Sequence, residues 1–434
     1  MEGLKRTTRE QEPDRKTGRK RLDWALSPVE VAGALRGEPG LVFLDSATAE
    51  EPGDGARGEY SMVAVRPERV LRGNLSDAGD RGLLRQALGQ AEGLGGADAD
   101  VGVPCGGLFG MVDYDGRFEF GDYSGVWVYE HGEGSWWACG ELPEVDLGGV
   151  GEVELPEVEF RAEMERGCFL QMVERAKAYI AAGDIYQVNL SQRFVAAWQR
   201  GADAWGVYRA LREASPAPYG GYFNLGERQG LSSSPELFLR LSGRSVTTRP
   251  IKGTRPRFPD LERDERSAYD LITSAKEIAE LVMITDLERN DLGQVCEWGS
   301  VEVTELLKLE RFAQVFHLVS TVGGTVREGI DQVEVLARCF PGGSITGAPK
   351  KRSMEVIEEL EPVERGLYTG AMGYLGRNGE CQLSIAIRTA VVEGEELRLQ
   401  TGAGIVADSE AEAEYEETLH KAAGFFRAVE AAGS

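Results

Sequence analysis

The chain has 434 residues, 42% of them apolar and 8% aromatic, enough to fill a sizeable core without a disulfide or structural metal. Its 48 Lys and Arg against 72 Asp and Glu leave a net charge of −24, which argues against nucleic acid and membrane as partners. An anionic small substrate would need a locally positive or metal-neutralised pocket. No run approaches the roughly 18 apolar residues of a membrane span. Six cysteines at least 29 residues apart form no CxxC, and three histidines leave no His-rich zinc site, so a reduced cytoplasm is expected.

Residues 1–25 read as a basic leader. Positions 1–21 hold eight Lys and Arg against four Asp and Glu, with Leu4 the one sizeable apolar residue besides Met1, so there is no signal-peptide core and disorder is expected. Residues 26–150 read as a subdomain of short strands and glycine-rich turns, with strands at 41–44, 60–64, 107–112 and 126–129. An acidic stretch bearing Gly and Pro, 146–159, marks the boundary with a second region, 151–434, and the two are expected to form one intertwined globular unit. From 161 onward Met164, Phe169, Met172, Val173, Ala176 and Ile180 recur at helical spacing, and Gly183 supplies a stop. A strand at 185–194, a helix at 205–213 and strands at 219–225 and 236–241 follow. Further helices are predicted at 264–288, 350–360 and 410–429, with strands at 301–306, 315–322, 371–375 and 382–391. Gly323-Gly324 and Asn378-Gly379 favour hairpin turns. There is no regular βαβ period, so the expected class is α+β with large antiparallel sheets.

Four stretches carry candidate chemistry. Glu277 and Glu280 lie three apart on one predicted helix, and Glu414 and Glu417 repeat that spacing on another. Each pair shares a helical face, which is either a solvated surface or, if the pairs meet, a Mg²⁺ site. Arg249-Pro250-Ile251-Lys252-Gly253-Thr254-Arg255-Pro256-Arg257 is a positive patch in an acidic chain. It is either an exposed basic loop or a carboxylate receiver, in which Lys252 becomes a nucleophile if desolvation and Arg255 lower its pKa. The glycine-rich 340–350 segment runs into a helix and fits an anion-binding turn, but Ala348-Pro349 stand where a nucleotide-binding loop needs Lys and Ser/Thr. Thr401-Gly402-Ala403-Gly404 offers side-chain-poor backbone to a ligand, with Tyr368 and Arg388 just upstream. His317 sits in a predicted strand, as a core residue or a functional one.

Together these stretches resemble the chorismate-utilising enzymes, most of all the large subunit of aminodeoxychorismate synthases. The resemblance rests on 183–193 with Tyr186-Gln187-Val188, Ser234-Pro235-Glu236, 250–257, Asp286-Leu287-Glu288-Arg289-Asn290-Asp291-Leu292-Gly293, 341–350 and 402–417, in order. It implies a sandwich of two large antiparallel sheets with outer helices. It also implies Mg²⁺ held by Glu277, Glu280, Glu414 and Glu417, and a ring carboxylate held at Gly402, Ala403 and Gly404. Tyr368 and Arg388 would hold the enolpyruvyl carboxylate, with Gln187 and Thr254 also lining the substrate. Lys252 would be the nucleophile, Glu236 the general acid, and His317 an aid to proton transfer. Family members that add water carry lysine where this chain has Gln187, so ammonia is the expected nucleophile. Anthranilate synthases resemble Pro-Ile-Ala-Gly-Thr at the second block, where this chain has Lys252. The resemblance thus implies 4-amino-4-deoxychorismate for folate synthesis, with anthranilate for tryptophan and a catalytically silent chorismate-binding subunit as alternatives. No Cys-His-Glu constellation is apparent, so ammonia is expected from a partner glutamine amidotransferase subunit. Leu44-Asp45-Ser46 stands where tryptophan-binding relatives resemble Leu-Leu-Glu-Ser.

Overall fold

The computed structural model describes residues 19–46, 58–89, 102–148, 158–312 and 314–430. Among them the strands form two sheets, of twelve and ten strands, in which neighbouring strands run antiparallel. The larger sheet runs from Arg19–Leu22 at one edge, through Tyr60–Ala64, Val42–Asp45, Tyr219–Asn224, Arg228–Ser234, Thr389–Glu393 and Glu396–Ile405, to Gln187–Ala197 near the other. The smaller runs from Ile251–Pro256 through Val315–Thr325, Ser245–Arg249, Leu237–Ser242, Cys381–Ile385, Ala371–Gly376 and Gly107–Val112 to Arg69–Asn74. Both mix strands from before 149 and after 157, so the two expected regions share their cores. This is the expected α+β architecture.

The sheets face one another across a core in which Val42 and Met62 of the larger meet Phe109, Met111, Met372 and Tyr374 of the smaller. Helices cover the outer faces. Trp205 and Tyr208 on Ala204–Ala214 and Phe425 on Ala411–Glu430 pack with Phe43 and Tyr222 on one side. Leu84, Leu292, Val333 and Leu336 pack on the other. With both faces covered, strand Gly107–Val112 is buried at every position and shows no alternation. Truncating any fully buried aromatic side chain here, such as Trp205, is expected to cost about 3–5 kcal/mol.

The long helix forms at Arg166–Ala182 and stops at Gly183, which takes φ +82°. Helix Lys350–Leu360 keeps the predicted limits. Several expectations change. Residues 1–18 of the expected leader and 149–157 of the expected boundary lie outside the described residues, but Arg19–Leu22, placed in that leader, pairs with Ser135–Gly140. Residues 26–150 hold two helices, Pro28–Ala34 and Ala78–Leu88, as well as strands. The second contains two glycines but is closed by the Asp77 side chain and a left-handed Gly89. The helix predicted at 264–288 is two, Leu261–Ile272 and Ala275–Gly293, because Ser274 caps a new start by accepting from the Glu277 amide. Gln332–Cys339 is a further helix. Gly323-Gly324 is no turn but the end of strand Val315–Thr325. A Cβ at 324 would lie 2.7 Å from Cys296 Sγ, so glycine there permits close packing. Asn378-Gly379 does turn the chain between Ala371–Gly376 and Cys381–Ile385.

The most consequential change concerns 382–391, predicted as one strand. It divides at Arg388, which takes φ +49°. Cys381–Ile385 lies in the smaller sheet and Thr389–Glu393 in the larger. The neighbouring chain crosses at the same level, from Arg228–Ser234 in the larger sheet to Leu237–Ser242 in the smaller, through Pro235-Glu236. Two adjacent crossovers open the sandwich there.

Candidate active site

Glu236 lies on one crossover and is 4% exposed. Burial raises its pKa, opposed by a hydrogen bond from the Ser344 side chain and by the nearby Lys252 and Lys421. A carboxyl so placed keeps its proton nearer neutrality, as a general acid requires. Lys252, on strand Ile251–Pro256, donates its ε-amine to the Ser344 carbonyl at 3.0 Å. Candidate nucleophile and candidate acid therefore meet on one residue of the 340–346 turn. Arg255, expected to act on Lys252, reaches instead toward Glu277 at 3.7 Å.

Arg388, on the other crossover, is half-buried, and its guanidinium makes no hydrogen bond or ion pair with any described residue. Burial lowers its pKa. Beside it is His317, 2% exposed, whose Nδ1 lies 3.0 Å from Thr254 Oγ1 and 3.4 Å from the Gly253 carbonyl. Burial and then the Arg388 charge lower this histidine to about 3, so its imidazole is neutral at physiological pH and serves as a hydrogen-bonding group rather than an acid.

Gly402, Ala403 and Gly404 lie on strand Glu396–Ile405, laddered on one side by Ser191, Leu190 and Asn189. The glycines there have a steric reason. A Cβ at 402 would lie 2.7 Å from the Tyr368 hydroxyl and one at 404 would lie 2.5 Å from Gln187 Nε2. The Gly402 carbonyl accepts from Lys421 Nζ at 2.9 Å. Gln187 Nε2 approaches Glu280 Oε2 at 3.5 Å, while Gln187 Oε1 and Asn189 Nδ2 are buried without a partner. Tyr368 is 7% exposed, with the Asn189 side chain close by.

The carboxylate pairs converge only in part. Lys276 Nζ lies 4.0 Å from Glu280 and 3.6 Å from Glu414, so one residue of each pair comes to the same place. Glu277 turns to Arg255, and Glu417 to Lys421 at 2.7 Å. Burial would raise Glu417, but Lys421, Lys276 and Lys252 hold it below its usual value. Among the described residues no group of three or more His, Cys, Asp or Glu side chains is set closely enough to hold a metal ion. Glu280 Oε1 and Glu414 Oε2 are nevertheless buried without a hydrogen-bond donor, and burial raises the Glu280 pKa. Hard, anionic oxygens in want of a partner suit Mg²⁺ by donor type.

Sequence reasoning missed Ser344, Asn189 and Lys421. Lys421 was legible as the next residue on the face of Glu414 and Glu417, four beyond the latter. A separate cavity of about 480 Å³ lies behind Tyr368 and Arg365, lined also by Arg72, Arg228 and Arg398. Its arginines are already paired, Arg72 with Glu119, Arg228 with Asp113 and Arg398 with Glu393, so it offers no free charge to an anion.

Residues 150–427 match the chorismate binding enzyme family. The chain belongs to that family. Among its relatives, anthranilate synthase component 1 of Thermus thermophilus is 47% identical over 293 residues, 68% of this chain and 62% of that protein. Aminodeoxychorismate synthase component 1 of Bacillus subtilis is 42% identical over 316 residues, 70% of this chain and 67% of that one. The match thus spans less than two thirds of the Thermus protein. Among solved structures, anthranilate synthase component I from Streptococcus pneumoniae superposes with a TM-score of 0.75 at 29% identity, covering 86% of this chain and 93% of that one. The family's fold is the two-sheet sandwich found here. No described helix is long and apolar enough to cross a membrane.

Proposed function

We propose that the chain is the large subunit of an aminodeoxychorismate synthase, converting chorismate and ammonia to 4-amino-4-deoxychorismate. The observation that carries this reading is the meeting of Lys252 and the buried Glu236 on Ser344, with an unpaired Arg388 near His317 and Lys421. The neutral Lys252 amine attacks ring carbon 2. The ring double bonds shift, and the carbon 4 hydroxyl leaves as water with the Glu236 proton. Ammonia then bonds to carbon 4, the double bonds shift back, and the lysine leaves carbon 2 as a free amine. The enolpyruvyl group stays attached throughout. Arg388 and Tyr368 hold the enolpyruvyl carboxylate, Lys421 and the 402–404 backbone the ring carboxylate, and His317 with Thr254 orients the departing hydroxyl. Mg²⁺ would be held by Glu280 and Glu414, with Glu277 and Glu417 nearby, and supplies charge neutralisation at the ring carboxylate. The ammonia source is a partner glutamine amidotransferase subunit, in the cytoplasm, and the described cysteines form no disulfide.

A second reading is favoured by the names of the relatives, most of which are anthranilate synthases at comparable identity. There ammonia attacks carbon 2 directly and Lys252 is a bystander. The test is turnover of chorismate with ammonium and Mg²⁺, read by product mass. The first reading expects a product that retains its enolpyruvyl group, loss of turnover on chelation, and a fall of about 100-fold or more in Lys252→Met. Pyruvate release with anthranilate fluorescence, undiminished in Lys252→Met, establishes the second reading. No turnover with folded protein leaves a silent binding subunit.

A further inference from the structure

Glu288 belongs to the 286–293 stretch, which the reaction above does not use. It lies on helix Ala275–Gly293, 4% exposed, with Asp291 on the same helix 2% exposed. Its Oε1 accepts the Gly343 amide at 2.9 Å, and a Cβ at 343 would stand 3.1 Å from that oxygen, so glycine lets the carboxyl reach the backbone. Gly343 immediately precedes Ser344, whose carbonyl receives Lys252 and whose side chain bonds Glu236. The other end of the turn is fixed by Lys350, whose Nζ bonds Asp291 Oδ2 at 2.5 Å, the Pro341 carbonyl at 2.6 Å and the Cys339 carbonyl at 3.1 Å.

We propose that Glu288 is a positioning residue for Lys252 and Glu236, holding the Gly343-Ser344 peptide on which both depend and, by its charge, influencing Glu236. The inference rests on the roles assigned to those two residues. The groups facing Glu288 are Asp291 from its own helix, Lys350 from the start of helix Lys350–Leu360, Glu236 from the crossover, Cys339 from the end of Gln332–Cys339, and the Gly343 amide. Two carboxyls and one ammonium in a dry site balance only when one carboxyl is protonated. Burial, then Asp291, raise Glu288 to about 7 against the pull of Lys350. Below that value Glu288 is neutral. Above it, the new negative charge disfavours ionisation of Glu236, so the acid keeps its proton to higher pH. A glutamine can still accept the Gly343 amide but cannot supply the charge, whereas alanine supplies neither.

The experiment compares the full chain with Glu288→Gln and Glu288→Ala in ammonium-dependent chorismate turnover over about pH 5.5–9.5. Glu288→Gln is expected to leave KM for chorismate within about twofold and to move the alkaline limb of kcat down by about half to one pH unit. Glu288→Ala is expected to lower kcat by about tenfold or more across the range. A Glu288→Gln profile superimposable on that of the parent chain overturns the proposal, including where the alanine variant does not fold. A second readout needs no turnover: the rate of Lys252 acylation, followed by peptide mass spectrometry against pH. Replacing a charged acceptor of the Gly343 amide by a neutral one is expected to loosen the hold of the Ser344 carbonyl on Lys252 and raise labelling at neutral pH by about threefold. If the parent chain fails to turn over chorismate, the functional reading falls, and unchanged Lys252 labelling in Glu288→Gln still decides against Glu288.

Discussion

Two arginines stand 23 positions apart on either side of strand Ala371–Gly376 and its hairpin partner, and they have opposite surroundings. Arg365 is buried and fully engaged. It meets both Glu361 oxygens at 2.8 Å and donates to the Ile345 and Asn189 carbonyls and to Thr369. Glu361 in turn accepts from the Ser191 amide and hydroxyl. Burial would lower the Arg365 pKa, but Glu361 holds it above the ordinary value. Arg388 has no such partner, and burial lowers it unopposed. A buried charge with every donor used is part of the fold. One left open at a crossover lacks that internal partner and is free to take a carboxylate, the role proposed for Arg388.

The comparison is broken or sharpened first at Arg365. Arg365→Met strands the Glu361 carboxylate and is expected to cost about 3–5 kcal/mol, measured by urea denaturation. A loss below about 1 kcal/mol would mean the pair is not structural. Arg388→Met should do the reverse, leaving stability unchanged or improved. It should raise KM for chorismate about 10- to 100-fold, the size of effect expected when one charge-assisted hydrogen bond to the substrate is removed. If the denaturation midpoint drops while KM stays put, Arg388 is structural after all and the contrast fails.

What could be read from the sequence follows the same division. Helix Lys350–Leu360 announces itself locally by apolar spacing, and the long helix by apolar spacing and its stop at Gly183. Several site residues were likewise legible because motif identity fixes them. Lys252 and Glu236 do meet on Ser344, His317 lies beside Arg388, and Tyr368 lies against Gly402. The crossovers were not legible. A run such as 382–391 looks like one strand, since both halves are apolar and β-branched. Nothing local says that Arg388 takes a left-handed turn and that the halves belong to different sheets. Ser344 was hidden because its value is the position of its carbonyl and hydroxyl relative to residues more than ninety positions away. The carboxylate pairs were found by spacing, yet spacing could not foresee that Arg255 and Lys421 would draw off one member of each.

The smallest expected effect tests the same neighbourhood through acid. His317 titrates at about 3 in the folded chain against an ordinary value of 6.5, first because it is buried and second because Arg388 is near. Below pH 6.5 the unfolded chain takes up a proton that the folded chain refuses, so folding loses stability as pH falls from 6.5 toward 3. The loss approaches about 1.4 kcal/mol per pH unit. Glu236 and Glu288, whose pKa values are raised, act in the opposite sense, since the folded chain holds their protons more tightly. A plain acid titration of stability therefore mixes the two. The difference between the parent chain and His317→Gln isolates the histidine, because the carboxyls are common to both. Between pH 6.5 and 4.5 the parent should lose up to about 2–3 kcal/mol more than the variant. Parallel stability curves would mean that the imidazole charges freely in the folded state. Arg388→Met gives the finer reading. Removing the cation should let His317 titrate higher and make the acid-induced loss shallower. If the slope is the same with and without Arg388, its unpaired charge does not reach His317, and burial alone accounts for the depressed value.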